Sequence, residues 1–87
     1  MKFTVLMAVY IKENPTFFKK ALESIWENQS IKPNEVIIVE DGPLTKELTI
    51  ILNKYESVMP LKRIKLENNV GLGKALNIGV ENCSNEY

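Results

Sequence analysis

Histidine is absent from this 87-residue sequence, and cysteine occurs only once, as Cys83. A catalytic triad that depends on histidine is therefore excluded, and no disulfide can form within the chain. Zinc sites are excluded as well, because they are built from histidines and closely spaced cysteines. A lone cysteine is typical of a protein in a reducing compartment.

The sequence also lacks a membrane-spanning run. The apolar stretch Phe3 to Ile11 is far shorter than the roughly 20 residues that such a helix needs. Lys12 and Glu13 follow it, where a signal peptide would have small residues at its cleavage site. We therefore interpret the stretch as a strand and expect a cytoplasmic protein.

Charge of one sign is not in excess either. Lys and Arg number 11, Asp and Glu number 11, and the formal net charge is zero. Proteins that bind nucleic acids rely on a basic surface, so we expect no nucleic-acid partner. The length allows one domain at most, with a modest hydrophobic core.

Hydrophobic periodicity predicts three strands that alternate with three helices. Apolar runs over Phe3–Val9 and Glu35–Glu40 indicate strands buried on both faces, and Leu61–Leu66 is predicted to be an edge strand with one polar face. Helical spacing marks the segments after them, which run from Asn14-Pro15 to Gln29, from Leu44 to Tyr55 and from Leu72 to Cys83. With short loops, this order predicts an α/β fold: a doubly wound parallel sheet in three layers.

Polar side chains follow each predicted strand. Tyr10 follows the first strand, Glu40 and Asp41 end the second, and Asn68-Asn69 follows the third. Ligands of open α/β sheets bind beyond the carboxyl ends of the strands, so these residues predict a ligand site. A structural interpretation stays open, because Asp-Gly-Pro is common in turns and an acid ahead of a helix suits the helix dipole.

The segment Gly71–Leu76, GLGKAL, resembles two nucleotide-binding motifs without completing either. Leu76 stands where the dinucleotide motif has its third glycine, and Ala75 stands where the P-loop needs serine or threonine. A helix N-terminus with Lys74 remains, which suits a phosphate group. The alternative is an ordinary helix start with a solvated lysine.

Four segments together resemble the family 2 glycosyltransferases of the GT-A fold. They are "TVLMAVYIKENP", "ALESIWENQS", "EVIIVEDGP" and "NNVGLGKALNIGVENCSNEY", in the family's order and spacing. The details "DGP" and "GLGKALN" most resemble the bacterial subgroup that builds exopolysaccharide or O-antigen chains of lipopolysaccharide. The resemblance implies an enzyme that transfers a sugar from a nucleotide-diphosphate donor to a growing surface glycan.

The resemblance also assigns roles to single residues. Ala8, Val9 and Tyr10 would line the nucleotide pocket, and Asp41 would hydrogen-bond the base or the ribose. Glu40 stands where many relatives have a further aspartate. Lys74 and Asn77 match a segment that approaches the nucleotide sugar.

The resemblance further implies a Mg²⁺ or Mn²⁺ ion, which a D-x-D motif holds against the diphosphate of the donor. No D-x-D occurs in this sequence. We therefore expect residues 1–87 to be the nucleotide-sugar-binding part of the enzyme, truncated before that motif, with no catalytic or metal-binding residue and no activity alone. The whole protein would bind a glycan acceptor and could associate with a membrane.

The family's strand order, 3-2-1-4, leaves one edge of the first strand open when no fourth strand is present. An open apolar edge invites pairing with another chain, so the sequence predicts a homo-oligomer through strand one. Two other classes of function stay open. One is a signalling receiver domain that binds Mg²⁺ at an acidic strand end, and the other is a folding or interaction module without a ligand.

Overall fold

The computed structural model describes residues 3–27 and 30–82. Its strands and helices alternate as the sequence predicts, which confirms the α/β fold class. They are β1 (Thr4–Val9), α1 (Pro15–Trp26), β2 (Glu35–Glu40), α2 (Lys46–Glu56), β3 (Leu61–Lys65) and α3 (Leu72–Glu81). Gln29, Cys83 and the polar end at 84–87 lie outside the described residues. None of the helices in the described part is long and apolar enough to cross a membrane.

The sheet is parallel, with β2 between β1 and β3. Glu40 at the end of β2 is level with Val9 in β1 and with Lys65 in β3, so the three strands end at one rim. The four residues from Val36 to Val39 are each 0% exposed, because helices cover both faces of the sheet. The predicted burial of the second strand on both sides is therefore confirmed.

The fold has three layers, because helices cover both faces of the sheet. A hydrophobic cluster lies on each face, between the sheet and the helices. The larger cluster lies between the sheet and the helices α1 and α2, and the smaller one lies between the sheet and α3. Strand alternation divides β2 between them, with Val36 and Ile38 in the larger cluster and Ile37 and Val39 in the smaller. Helix residues complete the clusters: Phe18, Leu22, Leu48, Leu52 and Tyr55 in the larger and Ala75 in the smaller.

β3 differs from the prediction. Leu61 packs against the larger cluster, whereas Ile64 and Leu66 pack against the smaller one. Arg63 is on the same face as Leu61, and its side chain is only 6% exposed because it pairs with a carboxylate. The prediction of a single polar face is therefore wrong: LKRIKL does not alternate strictly, and it places apolar residues on both faces.

Side-chain caps define where α1 and α2 begin. Asn14 accepts a hydrogen bond from the amide of Phe17 at 3.1 Å, and Thr45 accepts one from the amide of Leu48 at 3.3 Å. Each cap stabilises its helix by about 1 kcal/mol. The predicted start of the second helix at Leu44 is slightly early, since Leu44 precedes the cap and packs against the larger cluster.

One edge of β1 has no neighbouring strand within the described residues. The carbonyls of Phe3 and Val9 accept hydrogen bonds from the backbone at the two ends of β2. Both backbone groups of a residue in a parallel strand point to the same side, and successive residues alternate. The N–H and C=O groups that point to the open edge therefore belong to Thr4, Leu6 and Ala8.

We predict that two glycines of α3 respond oppositely to substitution by alanine. A β-carbon at Gly79 would lie 2.2 Å from Cδ1 of Leu6 and 3.1 Å from Cγ2 of Val39, whereas one at Gly73 would meet no atom within 4 Å. Gly73→Ala should raise the free energy of unfolding by up to about 1 kcal/mol through helix propensity. Gly79→Ala should lower it by about 1–3 kcal/mol through overpacking.

Urea unfolding followed by circular dichroism measures both changes. Gly73→Ala serves as the matched control, since it makes the same chemical change on the same helix. Stabilisation by both substitutions would show that α3 does not approach the sheet this closely.

Candidate functional site

A cleft of about 380 Å³ opens at the rim where the strands end. The structure brings four of the seven predicted site residues to it, namely Ala8, Val9, Tyr10 and Asp41. Residues 8–10 lead out of β1, and Tyr10 is 44% exposed at the mouth of the cleft. Four further residues that were not among the seven predicted ones complete the lining: Glu13, Asn69, Gly71 and Leu72.

Asp41, the single aspartate of the chain, is 5% exposed and binds backbone amides with both carboxylate oxygens. The amide of Val70 donates to Oδ1 at 2.6 Å, and the amide of Gly71 donates to Oδ2 at 3.0 Å. In addition, Nδ2 of Asn69 donates to the backbone carbonyl of Asp41 at 3.3 Å. Hydrogen bonds to an ionised acceptor are stronger than neutral ones, so the loop before α3 is fixed to the end of β2.

Gly42 lets the two loops touch. Its φ of 89° lies in the left-handed region, and a β-carbon there would be 3.0 Å from the amide nitrogen of Asn69. Any other residue would be strained in this conformation and would also press against the opposite backbone. The Asp-Gly pair thus combines a charged acceptor with the close approach that it requires.

Glu40 lies outside the cleft, on the opposite face of the sheet from α3. Its Oε2 is 2.6 Å from Nε of Arg63, and the two side chains are 7% and 6% exposed. Arg63 also donates from Nη1 to Glu56 at 2.6 Å and to Asn53 at 2.7 Å, both on α2. The hydrogen bond to Glu40 is the main cause of the raised pKa of Arg63. Arg63 therefore links β3 to β2 through Glu40 and to α2 through Asn53 and Glu56.

Lys74 and Asn77 also lie outside the cleft. Both are exposed on α3, which begins after Gly71 without a side-chain cap. Asn77 instead lines a groove between α3 and the open edge of β1, together with Phe3, Thr4, Val5, Leu6, Leu76 and Val80. The structure thus separates these two residues from the four that share the cleft.

Glu13 was missed because the sequence analysis used it only as evidence against a signal-peptide cleavage site. The amide of Glu13 donates to the carbonyl of Tyr10 at 3.0 Å, so a turn follows the end of β1 and Glu13 lines the cleft. The signal in the sequence that could have identified Glu13 is that it stands three positions after Tyr10, the aromatic residue at the strand end. Within residues 3–27 and 30–82 there is no cluster of three or more acids, cysteines or histidines that could hold a metal ion.

The family model described as glycosyl transferase family 2 matches residues 4–87. The chain belongs to this family. The resemblance stated from the four segments is confirmed. The family carries out sugar transfer. In this chain the candidate site is a cleft at the carboxyl ends of the strands of a parallel α/β fold.

Characterised and uncharacterised bacterial proteins are similar to the chain along its length. It is 45% identical over 85 residues to the UDP-Gal:alpha-D-GlcNAc-diphosphoundecaprenol beta-1,3-galactosyltransferase of Escherichia coli, which covers 98% of the chain and 30% of that protein. It is 44% identical to an uncharacterized glycosyltransferase of Haemophilus influenzae, covering 100% of the chain and 32% of that protein. It is 39% identical to the amylovoran biosynthesis glycosyltransferase AmsE of Erwinia amylovora, covering 94% and 30%.

A solved structure is similar as well. The crystal structure of residues 1–349 of TarS from S. aureus superimposes with a TM-score of 0.75 at 29% sequence identity, covering 98% of this chain and 25% of that one. The fold seen in this glycosyltransferase family 2 chain is therefore shared with a known protein. The chain spans about 30% of the length of the curated relatives that it matches.

We predict that losing one partner of the buried ion pair Glu40–Arg63 destabilises the fold more than replacing both. Arg63→Met would leave the carboxylate of Glu40 buried and unpaired, so the free energy of unfolding should fall by about 3–5 kcal/mol. The double variant with Glu40→Leu and Arg63→Met should recover most of that loss, because apolar pairs replace buried ions at little cost.

Glu56→Gln is the control for this comparison. The Glu56 side chain is 45% exposed, so its ion pair with Arg63 should contribute no more than about 1 kcal/mol. Urea unfolding of the four proteins provides the measurement. Equal losses in Arg63→Met and Glu56→Gln would show that Glu40 and Arg63 are not paired in the interior.

Proposed function

We propose that the cleft binds the nucleotide of a sugar nucleotide, and that the whole protein transfers the sugar to a growing bacterial surface glycan. The observation that carries the proposal is the convergence of Ala8, Val9, Tyr10 and Asp41 in one cleft at the carboxyl ends of the strands. The relatives support the chemistry, since one is named for the donor UDP-Gal and another for amylovoran biosynthesis.

Each wall of the cleft offers a different contact to a nucleotide. Tyr10 presents an exposed ring on which a base can stack. Ala8 and Val9 contribute apolar residues to the lining of the cleft. Asp41 is the proposed acceptor for the base or the ribose, since each carboxylate oxygen has a second lone pair beside the one used by the loop amide.

Lys74 and Asn77 are proposed to act on the donor further from the base. Lys74 follows Leu72, a cleft residue, in the first turn of α3, where a lysine and the free amides of a helix start favour a diphosphate. Asn77 lies one turn later, toward the groove. The Mg²⁺ or Mn²⁺ expected from the resemblance finds no suitable cluster among the described residues, so no step is assigned to it here.

The acceptor and the location of the whole protein are proposals of the same kind. The relative from Escherichia coli is named for an acceptor linked to diphosphoundecaprenol, a lipid. We propose a cytoplasmic protein that acts on a lipid-linked glycan at the membrane. The described residues contribute the donor side of such a reaction.

A nucleotide titration tests the proposed function. The unaltered chain is titrated with UDP, GDP, CDP and dTDP, with and without Mn²⁺, and its amide NMR shifts are followed. We expect saturable shifts around Tyr10 and Asp41 with one of the nucleotides. Tyr10→Ala should weaken that binding about ten-fold through the loss of base stacking.

Phe17→Ala is the matched control, because Phe17 is also an exposed aromatic residue, 66% accessible, but lies on α1 away from the cleft. It should leave the affinity unchanged. The absence of shifts with all four nucleotides would contradict nucleotide binding by this chain and would favour a folding or interaction module.

We also propose that the chain self-associates through the open edge of β1. Thr4, Leu6 and Ala8 direct outward backbone groups that pair with no strand among the described residues, from a strand that carries no charge. Backbone pairing with a second copy would satisfy these groups, as in other cases of strand addition. Light scattering should therefore detect an assembly larger than a monomer at high concentration.

Ala8→Pro tests the route of association. It removes one outward N–H and leaves the ladder to β2 intact, as proline does on edge strands. We expect a monomer with an unchanged circular dichroism spectrum. Phe17→Ser, which removes an exposed apolar side chain elsewhere, should leave the assembly in place. A clean monomer of the unaltered chain, or an assembly that survives Ala8→Pro, would contradict the proposal.

A further inference from the structure

The wall of the cleft that faces Tyr10 depends on one side chain. Three of the eight lining residues, Asn69, Gly71 and Leu72, belong to the short loop that leads into α3. All residues from 67 to 74 are exposed, and Leu72 is 65% accessible. Hydrophobic burial therefore holds this loop only weakly in place.

The hydrogen bonds that attach the wall to the sheet end on Asp41. Among the described residues, the amides of Val70 and Gly71 donate to its carboxylate, and the side chain of Asn69 donates to its carbonyl. The amide of Asp41 in turn donates to the carbonyl of Val9 at 2.8 Å. Hydrogen bonds therefore connect β1, through Asp41, to the loop of Asn69, Val70 and Gly71.

We propose that Asp41 is a positioning residue, which sets the width of the cleft by holding the Asn69–Leu72 wall through two backbone amides. The inference rests on the proposed function and deepens it, because it gives Asp41 a role that precedes any contact with the nucleotide. Asp41 is 5% exposed and both of its carboxylate oxygens already accept loop amides, whereas the wall that they hold is exposed to the cleft.

The variant Asp41→Asn separates this role from direct contact. An asparagine has the same shape, but only its carbonyl oxygen accepts, and its NH₂ group would face a second N–H donor. One of the two amides must therefore lose its partner, and the wall should move away from β2. A wall out of place should weaken every nucleotide that the cleft accepts by a similar factor.

Amide hydrogen exchange in the ligand-free chain is the first measurement. Val70 and Gly71 lie in an exposed loop, where amides normally exchange fast, so protection there reports the carboxylate directly. We expect protection at both positions in the unaltered chain and a loss of about ten-fold or more in Asp41→Asn. The amides of Gly73 and Lys74, in the first turn of α3, have no helical partner and should exchange fast in both proteins.

The affinities for UDP, GDP, CDP and dTDP are the second measurement. A uniform loss of about ten-fold or more in Asp41→Asn, with the order of the four nucleotides kept and with the amide protection of Val70 and Gly71 lost in the free chain, supports the positioning role. Gly42→Ala should reproduce this loss with the carboxylate intact, because its β-carbon would press on the amide of Asn69.

Two results would overturn the inference. One is fast exchange at Val70 and Gly71 in the unaltered chain. The other is retained protection in Asp41→Asn combined with a loss of affinity for one nucleotide alone, which would make Asp41 a direct contact to the base. If no nucleotide binds the unaltered chain, the proposed function fails, whereas the exchange rates still decide whether Asp41 holds the wall.

Discussion

Two carboxylates follow each other at the end of a buried central strand, and both must find partners because Glu40 and Asp41 are each only 5% exposed. Leaving a buried carboxylate unpaired costs several kcal/mol, so each acid forces an arrangement on the chain around it. Strand alternation sends neighbouring side chains to opposite sides. Glu40 therefore organises the layer of α2, and Asp41 organises the approach to α3. The rim of the sheet is built from these two requirements.

Glu40 and Asp41 have different hydrogen-bond partners, and the difference fits their positions in the fold. Glu40 meets a guanidinium, whose fork also reaches Glu56 and Asn53, so a single arginine ties β2 and β3 to a helix. Asp41 meets two amides, which bring no charge of their own into the cleft. An ion pair at that position would occupy the site with a long side chain, whereas amides leave the space above them open to a ligand.

Much of the fold could be predicted from the sequence because it depends on local patterns. The apolar runs and the helical spacing are properties of short segments, and the Asn14-Pro15 start of α1 is a local capping signal. The pairing of Glu40 with Arg63 could not be predicted, since 23 positions separate the residues and β3 was assigned a polar face. Placing Glu13 at the cleft also required the turn after Tyr10, which no periodicity describes.

The location of the candidate site could be predicted from the sequence more readily than the roles of its residues. The end of a parallel strand identifies the rim whichever residues stand there, which is why Tyr10 and Asp41 were found from the strand ends, whereas Ala8 and Val9 came from the resemblance. Asn77 came from the resemblance alone and Lys74 from the resemblance and its place at a helix start, and the position of α3 relative to the cleft decides what they can reach. That position depends on Gly79 packing against β1, on the smaller cluster and on the Asp41 amides, none of which is visible in the motif GLGKAL.

The open edge of β1 and the cleft meet at Ala8, which lines the cleft and also directs its backbone outward. A parallel strand that paired with Thr4, Leu6 and Ala8 would therefore end at the same rim, beside the cleft. Its last residues would lie closer to the exposed mouth of the cleft than anything on β3, which is on the far side of β2. If the proposed function holds, groups that contact the sugar or a metal ion would have a place there, beside the walls that are proposed to hold the base end of the donor. The edge that is proposed for association is thus also the direction in which the cleft can be extended.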